Sequence, residues 1–403
     1  MPLWSPHVRW GPVADLAKAD RPYDIVLFGA TGFTGALTAE YLGSHGPEGL
    51  RWALAGRNMA KLEAVRDRLS GFADLPLLQA DISDEASMRS VAESARVVIT
   101  TVGPYIRYGE PVVAACAAAG TDYVDLTGEP EFADLMWLRH HQTAAQSGAR
   151  IVHACGFDSI PYDLGALYTV QRLPEGVPIR MQGFVRAGGT FSGGTYQTAI
   201  ENFGRLRSGM QTGRERRRQE GRPSGRKVHG VPGKPHNEPL AGGWVVPAPT
   251  IDPQIVLRSA AALERYGPDF TYSHYLVAKR LQNAVGLAAG AGALVALSQV
   301  PVTRRMLLGL RSAGEGPSEE QRSRGWFKVR MVGDGGGQRV ITEVRGGDPG
   351  YGETAKMLSE SALSLAFDAL PERSGQLTPA VAMGQSLIDR LVAAGITFEV
   401  VSG

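Results

Sequence analysis

The sequence predicts an α/β protein, with an N-terminal doubly wound parallel sheet and a second domain of the α+β class. Three observations carry that expectation. Short apolar runs alternate with helical segments from Tyr23 to about residue 155, the pattern of strands buried on both faces with helices crossing between them. The first run ends in a glycine triplet, Gly29-x-x-Gly32-x-x-Gly35, which opens a helix. After Asp163 the alternation fades into strands separated by Gly-rich turns.

Taken in order, Asp24–Phe28 is the first strand and Leu37–Leu42 lies in the helix after it. Arg51–Ala55 follows with the charged helix Lys61–Leu69, then Leu75–Gln79 with the helix Glu85–Ser94. Ala95–Thr100, Asp122–Asp125 and Arg150–Ala154 continue the series. Five or six such units make one complete Rossmann domain, here 21–163. Residues 164–350 form the second domain, a mixed and mainly antiparallel sheet with strands expected at Ile179–Arg186, Gly243–Pro247, Phe327–Val332 and Arg339–Arg345. Two segments with helical periodicity, Thr354–Leu370 and Pro379–Ala394, place C-terminal helices over 351–403, packed back on the core. Thr378-Pro379 reads as an N-cap followed by proline at the first helical position. Residues 1–20 contain no continuous apolar stretch, so a disordered leader is expected there rather than a signal peptide.

A chain of 403 residues with 43% apolar content has room for two domains and a substantial core. Lys+Arg 42 against Asp+Glu 40 leaves a net charge of +2. That balance provides no general polyanion-binding surface, and no nucleic-acid partner is expected. Two cysteines, Cys116 and Cys155, form no CxxC pair and fit a reducing cytoplasm. His140 and His141 are adjacent on a helix and point apart, while His153 and Cys155 alternate on a buried strand. No Ser-His-Asp grouping or metal-ligand spacing emerges, so no metal is expected.

The glycine triplet has a physical logic. Gly29 permits the tight turn, Gly32 lets backbone approach a pyrophosphate, and Gly35 allows close helix–strand packing; Thr31, Phe33 and Thr34 lie between them. At the end of the second strand, where an NAD enzyme places Asp or Glu, the chain has Ala55-Gly56-Arg57-Asn58. Arg57 offers a planar cation to a ribose 2′-phosphate and points to NADPH/NADP as cofactor, against the alternative that it caps or solvates the next helix. Asp81 is an adenine contact or a helix N-cap. Gly103-Pro104, after the fourth strand, belongs beside the nicotinamide ribose.

These blocks resemble the saccharopine-dehydrogenase-like oxidoreductases and, within them, the mycobacterial trans-acting enoyl reductases. The resemblance rests on Phe28–Gly35, Leu54–Arg57, Thr100–Tyr105 with Arg107–Gly109, Asp122–Glu129 and Cys155–Pro161, and extends to Ser192–Thr195, Gly316–Ser318 and Leu377–Gly384. It implies a reductase that saturates the C=C bond of a polyketide or fatty-acyl intermediate in lipid biosynthesis, the acyl group being held on a polyketide synthase that lacks its own reductase. Two alternatives remain: a C=N or amino-acid oxidoreductase of the saccharopine dehydrogenase type, or a non-enzymatic NADP-binding lipid-surface scaffold.

Candidate catalytic groups follow strand C-termini: Tyr105, Arg107 and Tyr108, then Thr127 and Glu129, then Asp158 and Ser159. Tyr105 stacks on nicotinamide, donates to an enolate, or packs between domains. Asp158-Ser159 is slightly favoured as the N-cap of the helix near Leu164. Ser192–Thr195 is a small-residue loop for close substrate approach, or a turn.

Two features bear on partners. Residues 205–227 carry Arg214, Arg216, Arg217, Arg218, Arg222 and Arg226, read as a solvated mobile loop ahead of a carrier-protein dock. Residues 281–303 are free of charge and bracketed by Lys279-Arg280 and Arg304-Arg305. A buried or substrate-lining helix is ranked first there, peripheral membrane contact second and a membrane span last, because Gly286, Gly290 and Gly292 weaken the helix. A homodimer is expected from oligomer statistics alone.

Overall fold

The computed structural model describes residues 18, 20–189, 193–248, 250–309 and 317–402, with backbone alone for 193–195. Of the leader expected at 1–20, residues 1–17 and 19 lie outside the described residues, as do Ser192 and Gly316.

Six strands of the first domain follow one another as β1 (Tyr23–Phe28), β2 (Trp52–Gly56), β3 (Leu77–Gln79), β4 (Ala95–Thr100), β5 (Asp122–Asp125) and β6 (Arg150–Val152). The helices between them are α1 (Phe33–His45), α2 (Met59–Arg66), α3 (Glu85–Ser94), the single turn α4 (Tyr105–Tyr108), α5 (Glu110–Ala119) and α6 (Pro130–Ser147). All pairings are parallel. Because side chains alternate along a strand, β1 sends Ile25 and Leu27 to one face and Val26 and Phe28 to the other, all of them buried. One face meets α1; α3, α5 and α6 cover the other.

The second domain begins with α7 (Ile160–Val170) and β7 (Ile179–Gly188), then α8 (Gly193–Gly204) and α9 (Leu206–Glu220). It continues as β8 (Lys227–Gly230), β9 (His236–Glu238), β10 (Gly243–Pro247), α10 (Asp252–Ala262) and β11 (Asp269–Ala278). Then come α11 (Leu281–Ser298), α12 (Pro301–Leu308), α13 (Glu319–Ser323), β12 (Trp326–Gly335) and β13 (Gln338–Gly346). The chain closes with α14 (Gly352–Phe367), β14 (Gly375–Leu377), α15 (Pro379–Ala382), α16 (Gly384–Ala393) and β15 (Thr397–Ser402). The second sheet runs β15-β13-β12-β7-β11-β10-β9, with β8 on β11. It is mixed, since β7 and β8 lie parallel to β11 whereas β12 and β10 are antiparallel to their neighbours.

Four expectations change. The C-terminal segment is more than helices: β14 pairs parallel with β6 as a seventh strand of the first sheet, and β15 joins the second. Part of the stretch expected as a disordered leader is ordered, because Lys18 is buried with its ammonium 2.6 Å from Asp122, and just beyond it Arg21 donates to the Ala92 and Ala119 carbonyls. Most of the basic stretch is helical rather than a loop, since α9 carries Arg214, Arg216, Arg217 and Arg218 while Arg222 and Arg226 follow it. Arg216 is buried against Asp134 (2.8 Å), Arg205 forks onto Glu131, and Arg226 donates to the carbonyls of Gly267 and Ala260. Finally, 281–303 is helical but not buried, as only Ala284 and Ser298 of α11 are covered.

α14 links the two domains. Its buried residues pack on β1, β4 and β5 beside α1, and also meet α16, so one hydrophobic core runs from Ile25 through Leu358 to Phe327.

Candidate functional site

The C-terminal ends of β4 and β5 face α8 of the second domain, where Arg107 pairs with Glu201 and Asn202 donates to the Gly128 carbonyl, and the crevice outside these strand ends is where doubly wound sheets place ligands. The glycine turn sits at its head. Gly29 adopts φ +97°, and a Cβ there would lie 2.7 Å from Val102 Cγ2. A Cβ on Gly35 would lie 2.2 Å from the Gly29 carbonyl oxygen, so the helix can pack this close only without a side chain. At Gly32 the nearest atom to such a Cβ is 3.5 Å away, leaving an open backbone face at the uncapped N-terminus of α1. Thr101 Oγ1 donates to the Gly29 carbonyl (3.0 Å) and fixes the turn; that residue was missed from sequence. Thr31 and Gly32 are exposed, and the Thr34 carbonyl accepts from Thr38. Phe33 packs edge-on against Tyr351 at 4.7 Å between ring centres, with the Arg322 guanidinium over it.

Beyond β2 lies a cleft of about 680 Å³ lined by Thr31, Arg57, Asn58, Met59, Lys61, Gln79 and Asp81. Asn58 caps α2, accepting from Lys61 N at 3.0 Å, so Arg57 is not the cap. Among the described residues its exposed guanidinium makes no hydrogen bond to protein. Lys61, one helical turn on, adds a second cation that sequence reading overlooked. Asp81 is not a cap either, because Asp84 fills that role for α3. Hydrogen bonds from Ser83 N and Oγ, then the charge of Arg57, hold the Asp81 carboxyl below its usual range. A close-approach glycine turn beside a cleft with two cations fits the pyrophosphate and 2′-phosphate of NADP.

Gly103-Pro104 is a cis peptide leading into α4. The Tyr105 and Ile106 amides each donate to the Glu129 carboxylate at 2.8 Å, which anchors this corner beside the crevice. Burial pushes the Glu129 carboxyl up to about 7 against the pull of the two amides. Tyr105 is buried; its hydroxyl donates to the Thr100 carbonyl (3.0 Å) and accepts from Leu126 N. It braces β4 against the β5 loop, so its hydroxyl is committed to the scaffold instead of to a reacting group. Arg107 reaches Glu201 of α8 (2.7 Å) and pairs the two crevice walls.

Asp158 follows the turn out of β6, in which Ala154 adopts φ 60°. It does not cap α7: Ser159 occupies that position without a side-chain bond. Instead a Cβ on Gly128 would lie 2.8 Å from Asp158 Oδ2, and burial raises its carboxyl to about 6. Behind it lies a buried polar group that sequence reading missed. Asp252 Oδ2 is 3.6 Å from His274 Nε2, and His274 Nδ1 meets the Tyr272 hydroxyl at 3.0 Å. Burial lowers His274 to about 3, so it is neutral, and burial followed by the charge of Asp158 holds Asp252 well above the carboxylate range. Asp252-Pro253 reads only as a helix start, which hid its role. His153 bonds Asp125 at 2.7 Å, both of them buried.

Residues 25–152 match the family model described as Saccharopine dehydrogenase NADP binding domain. Trans-acting enoyl reductases of Mycobacterium ulcerans and Mycobacterium tuberculosis are each 37% identical to this chain, over 418 and 417 residues, covering 94% of it and 98% of their own length. A further Mycobacterium tuberculosis protein, assigned the same activity provisionally, is 39% identical over 422 residues, 95% of this chain and 99% of its own. Among solved structures, apo saccharopine dehydrogenase (L-Glu forming) from Saccharomyces cerevisiae superposes with a TM-score of 0.52 at 12% identity, over 94% of this chain and 99% of that one. That likeness extends the fold correspondence across both domains.

Proposed function

This chain belongs to the family of trans-acting enoyl reductases and is an NADP-dependent oxidoreductase, and from that premise we propose that it reduces the C=C bond of an α,β-unsaturated acyl thioester presented on the carrier of a polyketide synthase. The observation that carries this reading is the reach of the identity: 94% of the chain matches, so both walls of the crevice are included and not the cofactor domain alone.

Bound NADPH supplies the hydride, which in an enoyl reduction goes to the β-carbon while a proton goes to the α-carbon. The open face at Gly32 and the α1 amides would hold the pyrophosphate, and Arg57 and Lys61 the 2′-phosphate. Asp158 holds the proton for the α-carbon: with a pKa of about 6 it is an acid near neutral pH, suited to proton transfer. The pair Asp252 and His274 stands behind it as a buried proton-holding group.

The charge of the crevice favours a neutral acyl substrate over an amino acid. Glu129, Glu201 and Asp158 are acids, and the cation facing them, Arg107, is already paired with Glu201. With Arg107 so paired, that cation is not free to hold an amino-acid carboxylate. The free, buried thiols of Cys116 and Cys155 are compatible with the cytoplasm, the compartment we propose.

The test mixes purified protein, NADPH and a crotonyl-carrier thioester. Loss of reduced-nicotinamide absorbance with formation of the butyryl product is expected. NADPH binding without turnover over a broad acyl panel would refute the reading, and turnover of 2-oxo acids with amines instead would favour an amino-acid oxidoreductase.

A further inference from the structure

The uncharged stretch of the second domain folds into α11 and stands out from the protein. Val285, Leu287 and Leu297 are 58%, 40% and 43% exposed. A Cβ added at Gly286, Gly290 or Gly292 would meet nothing within 4 Å. Apolar surface continues through Val300, Val302 and Met306, the last 69% exposed. Contiguous exposed apolar surface of this kind marks an interaction site.

The chemistry of the patch selects its occupant. No acidic residue occurs between Lys279 and Gly309, and the cations stand in two pairs, Lys279-Arg280 before α11 and Arg304-Arg305 in α12. No aromatic residue occurs there either, whereas protein–protein hot spots draw on Trp, Tyr and Arg in packed pockets. A two-fold dimer through this face would bring like-charged pairs together with no carboxylate between them. A bilayer surface bearing anionic headgroups satisfies both components, with apolar side chains at the headgroup–acyl boundary and cations on lipid phosphates.

The mode of contact follows from how the helix is held. Its length of about 27 Å approaches a hydrocarbon core, and its mean hydropathy is 1.4. Yet both ends return to the same body. α11 follows β11 directly, and beyond its C-terminus Gln299 donates to the Phe203 carbonyl and Arg304 to that of Gly204. A helix tied at both ends to one side of a domain lies along a membrane and does not cross it.

We propose that α11 and α12 form a peripheral docking element for an anionic lipid bilayer, lying in its headgroup region with Lys279, Arg280 and Arg305 against lipid phosphates. The proposal does not depend on the identity of the acyl substrate.

Co-sedimentation of the full chain with phosphatidylcholine vesicles, with and without phosphatidylglycerol, tests it. Partition onto the anionic vesicles is expected to be stronger by on the order of tenfold or more, and to weaken with salt. Val285→Asp with Met306→Asp should abolish partition to both vesicles, while Arg280→Glu with Arg305→Glu should remove only the anionic preference. All these positions are solvent-exposed, and unchanged NADPH binding serves as the folding control. Absence of vesicle binding by the intact chain overturns the proposal. So does a two-chain assembly in lipid-free sedimentation that Val285→Asp dissociates, since a second copy would then cover the face.

Discussion

Replacing Arg57 with alanine removes one of the two cations that face the cleft beyond β2 and leaves the turn itself untouched. Arg57 makes no hydrogen bond to protein among the described residues, and Asn58, not Arg57, caps α2. Stability should therefore change little. A hydrogen bond to a charged group contributes about 1.5–3 kcal/mol, and exposure at the cleft mouth moves the expected value toward the lower end. At about 1.4 kcal/mol per factor of ten, NADPH affinity should fall roughly 10- to 50-fold. NADH lacks the 2′-phosphate and should lose less than about threefold by the same reasoning. Lys61 remains nearby, so Lys61→Ala alone should cost NADPH less, and the double variant should bring the two cofactors close to equal affinity. Fluorescence titration of the reduced nicotinamide at fixed ionic strength measures all four pairs. Equal weakening of NADPH and NADH by Arg57→Ala would refute the reasoning, because it would place the guanidinium on a part common to both cofactors.

Asp158→Asn should lower kcat by about 10²–10⁴ with NADPH affinity intact, the range expected for loss of general acid catalysis. The native enzyme should lose activity as pH rises through about 6, where Asp158 gives up its proton; a pH–rate profile that keeps this limb in the variant would exclude the role. Gly35→Ala drives a Cβ to 2.2 Å from the Gly29 carbonyl, so thermal stability and NADPH binding should both fall, whereas Gly32→Ala should affect chiefly cofactor binding. Burial pushes the Asp163 carboxyl up to about 7, and its Oδ2 accepts from Ala380 N. The neutral form is the favoured one in the fold, so this contribution is full below about pH 4 and lost as pH rises to about 7, by at most ~4 kcal/mol at ~1.36 per unit. Denaturant unfolding of Asp163→Asn should show a flatter pH dependence over that window; an unchanged slope would exclude Asp163 as its source.

The cofactor turn, the succession of strands and helices around it and the cation at Arg57 were legible in the amino-acid order because each is local. A glycine triplet between an apolar strand and a helix has few backbone solutions, and the residue ending the second strand falls at the ribose whatever the rest of the chain does. The charge-free interval before Arg304 was equally visible, but not whether it is buried. Exposure depends on what packs against a helix, and Gly286, Gly290 and Gly292 meet nothing. The same limit misread 205–227, where Arg216 finds Asp134 from a helix 82 residues earlier, an encounter that no local charge pattern contains. Tyr105 followed the expected strand, yet tertiary packing turned its hydroxyl to Thr100, and only the folded chain brings Asp252 and His274 up behind Asp158. What the sequence by itself determined is a dinucleotide site built from short-range backbone geometry. What the tertiary structure decided is which charges are spent on the fold and which still face the crevice, because pairing and desolvation depend on neighbours that are distant along the chain.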